Sequence, residues 1–142
     1  MVFTAALQDY ADYILDKMDT EHSVKYRLYR QHTDFSNNVY QKDLSKLGRE
    51  LSRTIIVDNN AENFQLQPDN GVYIQSWYND PQDQGLAKLA PLLIDIVRKR
   101  YDDVRVALKQ FRDKAAMIYQ AKSGSTIDLK MSLDPQNGKL IS

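Results

Sequence analysis

The sequence places its best metal-type oxygens at Asp58-Asn59, immediately after the run Thr54, Ile55, Ile56, Val57. Adjacent carboxylate and amide oxygens are the hard donors that Mg²⁺ prefers. That ion takes one or two protein carboxylates and completes its shell with phosphate and water. The same pair suits an ordinary turn, since Asn59 and Asn60 tolerate left-handed φ and Asp58 can cap a following helix. Thr4, which follows Val2 and Phe3, can offer a hydroxyl and a backbone N–H to an anion, or can cap a helix. Lys42, after Val39, Tyr40 and Gln41, can set its ammonium against phosphate oxygens through charge-assisted hydrogen bonds, or can be solvated as most lysines are. Arg30 can clamp a phosphate or a peptide. It can equally join Arg27 and Asp34 as an exposed ion-pair former. Trp77 and Tyr78 can line a peptide groove, although a strand Trp more often anchors a core, and Arg98, Lys99, Arg100 read as a solvated helix end favoured by the helix dipole.

These residues need elements to hold them. Val2, Phe3 and Thr4 read as the end of a strand. Leu7, Tyr10, Ala11, Ile14, Leu15 and Met18 then follow helical spacing, with Asp9, Asp12 and Asp16 on other faces. Residues 24–29 are rich in β-formers and read as a short strand, followed by a polar turn over 33–38. Leu44, Leu47 and Leu51 mark a short helical or 3₁₀ segment broken by Gly48. The β-branched run 54–57 has the pattern of a strand buried on both faces, as in a parallel sheet. A further strand is predicted over 72–77, between the turns 68–71 and 79–81. Leu86, Leu89, Leu93, Ile96 and Val97 predict a core-facing helix in which Pro91 must make a kink or sit in the first turn. A last helix is predicted over 102–119, on the stripe Val104, Leu108, Phe111, Ala115, Ile118, with a loose tail over 120–142.

Strands alternating with helices predict a βαβ, largely parallel α/β architecture. Ligands in such sheets bind outside the carboxyl ends of the strands, so Thr4 and Asp58-Asn59 are expected to converge there with Lys42.

Composition narrows the classes. The 142 residues, 42% hydrophobic and 27% charged, suit one globular domain. Zero cysteines exclude disulfides, thiolate zinc sites and any cysteine-nucleophile mechanism. Nineteen basic residues balance nineteen acidic ones, which gives no electrostatic support for a nucleic-acid or anionic-membrane partner. Two histidines, His22 and His32, in polar sequence make a histidine-only metal site an unattractive reading. No apolar run reaches the roughly 18 residues of a membrane span, and the amino-terminal residues do not read as a secretory signal.

The series Lys-Asp-Leu-Ser-Lys-Leu-Gly-Arg-Glu-Leu-Ser-Arg at 42–53, Ile-Ile-Val-Asp-Asn at 55–59 and Gln-Pro-Asp-Asn-Gly-Val at 67–72 resembles the catalytic-domain signature of the RNA-polymerase C-terminal-domain phosphatases. That family is also called NLI-interacting-factor-like and belongs to the haloacid dehalogenase (HAD) superfamily. Val-Phe-Thr-Ala-Ala-Leu-Gln-Asp-Tyr-Ala-Asp at 2–12, Ser-Trp-Tyr-Asn-Asp-Pro at 76–81, Leu-Ala-Pro-Leu-Leu at 89–93 and Asp-Asp-Val-Arg at 102–105 fit the same pattern in the same order. The resemblance covers roughly residues 3–111. It implies a HAD-like Rossmannoid parallel sheet with flanking helices that lacks the first strand or strands, over residues 1–119.

Roles follow from the resemblance. Thr4 matches the strand-end Ser/Thr that holds the phosphoryl group. Lys42 matches the lysine that neutralises phosphoryl oxygens and the nucleophile. Asn59 matches the direct Mg²⁺ ligand, with Asp58 beside it orienting lysine or metal-bound water. Arg30 matches an arginine at the substrate mouth. The implied substrate is a phosphorylated protein or peptide. The family's Asp-x-Asp-x-Thr/Val motif, which supplies the aspartyl nucleophile, the acid/base and two metal oxygens, has no counterpart here: no Asp-x-Asp occurs in the 142 residues. The expectation is therefore an amino-terminally shortened domain, inactive alone, in a nuclear or cytoplasmic setting. The alternative is a protein-binding relative resembling the mitochondrial inner-membrane presequence receptor, which keeps the fold and the Lys-Asp-Leu-Ser signature. That branch tends not to keep Asn after the strand-end Asp, so Asn59 favours phosphatase ancestry, whereas residues 65–68 occur in both branches.

Overall fold

A computed structural model describes residues 1–123; of the loose tail expected over 120–142, residues 120–123 belong to a helix instead and the rest lies outside the described residues. The chain divides into two compact units, Met1–Asp43 and Leu44–Ser142. The α/β class holds, with two parallel strand pairs, one antiparallel pair and three helices among the described residues.

In the first unit β1 (Val2–Phe3) leads through α1 (Gln8–Met18) to β2 (Arg27–Leu28), which pairs with β1 in parallel, Val2 opposite Arg27 and Phe3 opposite Leu28. The pairing continues past both strands: Val2 N–H donates to Tyr26 O, Thr4 N–H to Leu28 O and Arg30 N–H to Ala6 O. Helix α1 buries less of its stripe than its spacing suggests. Ala11 is buried and Ile14 and Leu15 are half-buried, while Leu7, Tyr10 and Met18 are exposed.

Polar side chains join α1 to β2 and the residue after it. Arg27 Nη1 reaches Asp12 Oδ1 (3.0 Å) and Asp16 Oδ1 (2.6 Å), and the buried Tyr29 donates its hydroxyl to Asp12 (2.6 Å). The Tyr29 hydroxyl, and then the Arg27 guanidinium, hold the Asp12 carboxyl below the ordinary carboxylate range. Asp19 is lowered likewise, first by the Val24 backbone N–H (2.8 Å) and also by that of Ser23 (2.7 Å), which close the turn after α1. A carboxyl whose folded pKa is depressed stabilises the fold above its unfolded value of about 3.9, and that contribution disappears as pH falls through the folded value. Acidification below about pH 4 should therefore loosen the α1–β2 junction first. Backbone amide signals of residues 24–29, followed by NMR against pH, should show it, and Asp12→Asn should flatten the response. An unchanged pH profile in Asp12→Asn would refute the linkage.

The polar turn expected over 33–38 is instead a hairpin. Strands β3 (Asp34–Ser36) and β4 (Val39–Gln41) pair antiparallel about Asn37 and Asn38, both with left-handed φ (52° and 62°). Two consecutive left-handed residues make the turn whose twist suits a two-residue hairpin. Opposite one another on the ladder, the rings of Phe35 and Tyr40 pack with centroids 4.7 Å apart.

The second unit starts with a 3₁₀ turn, Leu44–Leu47, closed at Gly48, whose φ of +65° is a conformation most side chains resist. Another 3₁₀ turn, Leu51–Arg53, leads into β5 (Ile56–Asp58), which pairs in parallel with β6 (Gly71–Tyr73). The expectation of burial on both faces holds. Ile56 joins Leu44, Ala61 and Phe64 on one side, while Ile55 and Val72 pack against Ile96, Val104, Ala107 and Leu108 on the other.

Helix α2 (Gly85–Arg98) holds Pro91 in its second turn, not its first, where the ring removes the bond its nitrogen would give to Ala87. Of the predicted stripe, Ile96 is buried and Leu89 and Leu93 are half-buried, whereas Leu86 and Val97 are exposed. Helix α3 (Val104–Ser123) extends past the predicted end at 119. Asp103 caps it, accepting from Arg105 N–H (2.9 Å) and pairing with the Arg105 guanidinium, which lowers the Asp103 pKa. Among the described residues no helix is long and apolar enough to cross a membrane.

Candidate phosphoryl-binding and cation-binding residues

In the first unit Arg30 and Lys42 each reach a chain neighbour of Thr4 at the end of β1, Arg30 at Ala5 and Lys42 at Phe3. Thr4 ends β1, and its Oγ1 accepts the Ala6 N–H (3.1 Å) in a local turn four residues before α1 begins. The helix-cap alternative therefore fails: the N-cap of α1 is Leu7, with no side-chain bond. A hydroxyl that accepts one bond still has its proton to donate.

Arg30 is held from two sides. Its Nε donates to Ala5 O (2.7 Å), and its guanidinium lies over the Tyr40 ring, 4.8 Å from the centroid. The turn that carries it, Arg30–His32, is fixed by the Tyr29 N–H donating to His32 Nδ1 (2.9 Å). The ion pairs belong instead to Arg27, which is half-buried and pairs with Asp12 and Asp16.

Lys42 follows β4 directly and is 7% exposed, so the surface alternative is overturned. Its Nζ sits 5.9 Å from the centroid of the Phe3 ring, next to Thr4. An ammonium taken this far out of water needs compensating partners, and its burial fixes where its charge acts.

Asp58 and Asn59 stand at the end of β5 in the second unit. Asp58 is buried, and its Oδ1 accepts from Asn60 N–H (2.8 Å) and Asn63 Nδ2 (3.2 Å). Of the turn alternative, the local bond to Asn60 is present, but neither Asn59 nor Asn60 has positive φ, and the 3₁₀ turn Ala61–Phe64 is capped by Asn60, which accepts from Glu62 N–H (3.2 Å). Asn59 is exposed. Its Nδ2 donates to Ser76 Oγ (2.9 Å), which leaves Oδ1 as an acceptor.

That oxygen fits a single contribution to a Mg²⁺ shell. Among the described residues no three His, Cys, Asp or Glu side chains gather to hold a metal, and Mg²⁺ relies on few protein ligands when phosphate and water supply the rest.

Several motif residues prove to be structural. Gln67 Oε1 accepts the Leu44 N–H (3.0 Å), and the buried Asn70 donates its Nδ2 to Leu51 O (2.6 Å) and Thr54 O (2.7 Å). Trp77, expected as a core anchor, is 63% exposed and donates Nε1 to Asp80 O (2.8 Å). Ser76, which opens the motif at 76–81, carries no role in the sequence. Its position near the end of β6, parallel to β5, was the available signal.

Residues 1–105 match the family described as NLI interacting factor-like phosphatase. The chain is 43% identical over 113 residues to a "Probable C-terminal domain small phosphatase" of Dictyostelium discoideum, covering 80% of this chain and 36% of that protein. It is 42% identical over 104 residues to the human "CTD small phosphatase-like protein", covering 73% and 37%. It is also 35% identical over 122 residues to the "Mitochondrial import inner membrane translocase subunit tim50" of Aspergillus fumigatus, covering 86% and 24%. The chain thus spans well under half the length of the curated relatives it matches.

Proposed function

The chain belongs to the NLI interacting factor-like phosphatase family, and from that premise we propose that it carries the phosphoryl-binding and cation-binding residues of a Mg²⁺-dependent phosphoserine/phosphothreonine protein phosphatase. The observation that supports this reading is the end of β1, where the residues either side of Thr4 meet two cations: the buried Lys42 has its Nζ 5.9 Å from the centroid of the Phe3 ring, and Arg30 Nε donates to Ala5 O. A hydroxyl, an ammonium and a guanidinium around one strand end suit the dianionic oxygens of a phosphoryl group.

In this reading Thr4 holds the phosphoryl group and Lys42 offsets the charge that builds on its oxygens. Arg30 steadies the substrate at the mouth. Asp58, fixed by Asn60 and Asn63, orients the lysine or a water on the metal, and Asn59 offers Oδ1 to the cation. Mg²⁺, when bound, would neutralise phosphate charge there. The family's covalent step belongs to an Asp-x-Asp carboxylate, a motif these 142 residues do not contain.

A second reading, a protein-binding relative, is favoured by the similarity to the translocase subunit. It puts the chain at the mitochondrial inner membrane, where the first reading favours nucleus or cytoplasm. Binding separates the two. A phosphoserine peptide library presented to the chain should be retained in preference to its unphosphorylated counterpart, and Arg30→Ala and Lys42→Ala should each reduce that preference. Retention indifferent to phosphate would reject the phosphatase reading and leave the second.

A further inference from the structure

The second unit holds a cavity of about 500 Å³ beside the turn that joins α2 to α3. Its floor is apolar: Ile96 and Val104 are buried, and the exposed Val97 continues their surface outward. Tyr101 also lines it, with its hydroxyl donating to Gln110 Oε1 (3.1 Å). Arg53, Arg100 and Asp102, all exposed, bring charge to the same space. None of the residues assigned to phosphoryl or cation binding lines it. An apolar hollow of about 300–1,000 Å³ with a few polar groups is the usual form of a ligand site.

Arg100 stands there against the preference of its backbone. Lys99 is the C-cap of α2, and Arg100 follows it with a φ of 50°, its N–H donating to Val97 O (3.2 Å). That left-handed position after a helix end is ordinarily filled by glycine, because a Cβ is strained there. Glycine would serve the turn better, so the backbone gives no reason for an arginine. Strained residues of this kind gather at ligand clamps. An ion pair does not account for it either: among the described residues no carboxylate pairs with Arg100. Arg53 keeps one long contact to Glu50 (3.7 Å) between two exposed side chains, a kind of pair worth little in water.

We propose that this cavity binds the carboxyl-terminal residue of a partner peptide or protein when that residue is apolar. The apolar side chain lies on Ile96, Val97 and Val104, and the terminal carboxylate is held by the Arg53 and Arg100 guanidiniums, whose planar forks suit carboxylate oxygens. Asp102 sets the selectivity. Two guanidiniums against one carboxylate leave one positive charge, which a monoanion balances and a phosphate dianion exceeds. The same Asp102 carboxylate is an acceptor for the N–H of the terminal peptide unit, a group that a free apolar acid lacks.

The test titrates N-acetyl-leucine into the 142-residue chain carrying ¹³C-labelled methyl groups. It should shift the methyl signals of Ile96, Val97 and Val104 saturably. N-acetyl-leucinamide, which lacks the carboxylate, should bind about tenfold more weakly, and 4-methylpentanoate, which keeps the branched tail and carboxylate without the amide, should also bind more weakly. Arg100→Gly should raise the dissociation constant about tenfold and at the same time raise the urea midpoint, because it removes a ligand contact and the left-handed strain together. Arg53→Gln should weaken binding without touching the α2–α3 turn. Arg98→Ala removes an equal charge outside the cavity and should leave the dissociation constant unchanged. Unchanged affinity in Arg100→Gly, equal binding of acid and amide, or no saturable shift with N-acetyl-leucine overturns the proposal. An equal loss in Arg98→Ala overturns it as well, by reducing the effect to general charge. Equal binding of 4-methylpentanoate overturns the peptide end as occupant and assigns the cavity to free apolar acids.

Discussion

Joined to a segment that supplies an Asp-x-Asp-x-Thr motif, the chain is expected to hydrolyse a phosphoserine peptide, and Lys42→Ala is expected to cut that turnover by about 10²–10³, the usual cost of losing one preorganised electrostatic contact. The size of the effect follows from burial. The Lys42 ammonium sits at a 7%-exposed position beside the Phe3 ring, and a charge fixed away from water acts more strongly on a developing phosphoryl charge than a solvated one. Lys42→Met keeps the volume and should lose as much, which separates loss of charge from loss of packing. Asn59→Ala should fail differently, raising the Mg²⁺ concentration needed for activity, whereas the lysine variants should leave metal demand nearly unchanged. The 142 residues alone hold no Asp-x-Asp pair and should show no turnover above a Lys42→Ala control. Full turnover by Lys42→Ala in the joined protein would end the phosphoryl-binding assignment and favour the protein-binding reading.

How far the sequence exposes such a site depends on what each signal measures. The run 54–57 announced a strand covered on both faces because continuous β-branched residues suit that setting, and Ile55 and Ile56 do point into different cores. The β1–α1–β2 unit was legible for a similar reason: its helix carries the right period. Period alone does not say how far a partner surface extends, so Leu86 and Val97 kept their helical spacing and still face solvent. Residues 33–38 read as a polar turn, not as one arm and the bend of a hairpin, because Asp34 and Ser36 are polar and each strand is three residues long. Its signal was Asn37-Asn38 between Phe35 and Tyr40, a pair suited to two left-handed residues. Burial of Lys42 has no local signature at all, since nothing in Val39-Tyr40-Gln41-Lys42 distinguishes a buried ammonium from a solvated one. Trp77 errs the other way: its indole N–H is satisfied by a carbonyl three residues on, so the ring needs no core to receive it.

The motif at 67–72 carries the other large expected effect, and it is structural. Gly71→Ala should destabilise the second unit severely. A Cβ built at Gly71 falls 2.0 Å from Cε2 and 2.2 Å from Cδ2 of Phe64, distances no carbon pair sustains, and Phe64 is buried with Leu44, Ile56 and Ala61, so the ring has no free space to enter. The strain comes from close approach and not from φ, which at −91° is open to any residue. Overpacking of a closed core costs about 1–3 kcal/mol and occasionally more, a large fraction of the roughly 5–15 kcal/mol that holds a domain together. Gly48→Ala gives the contrast: φ there is +65° with open space around the Cβ, so its cost is conformational, about 1–2 kcal/mol. The cleanest measurement is a double-mutant cycle by urea denaturation with Phe64→Leu. If the ring is the obstacle, Gly71→Ala should cost markedly less in the Phe64→Leu background than alone, because the smaller side chain leaves room for the new methyl. Equal costs in both backgrounds would mean that Gly71 is required for something other than the approach of Phe64 to β6.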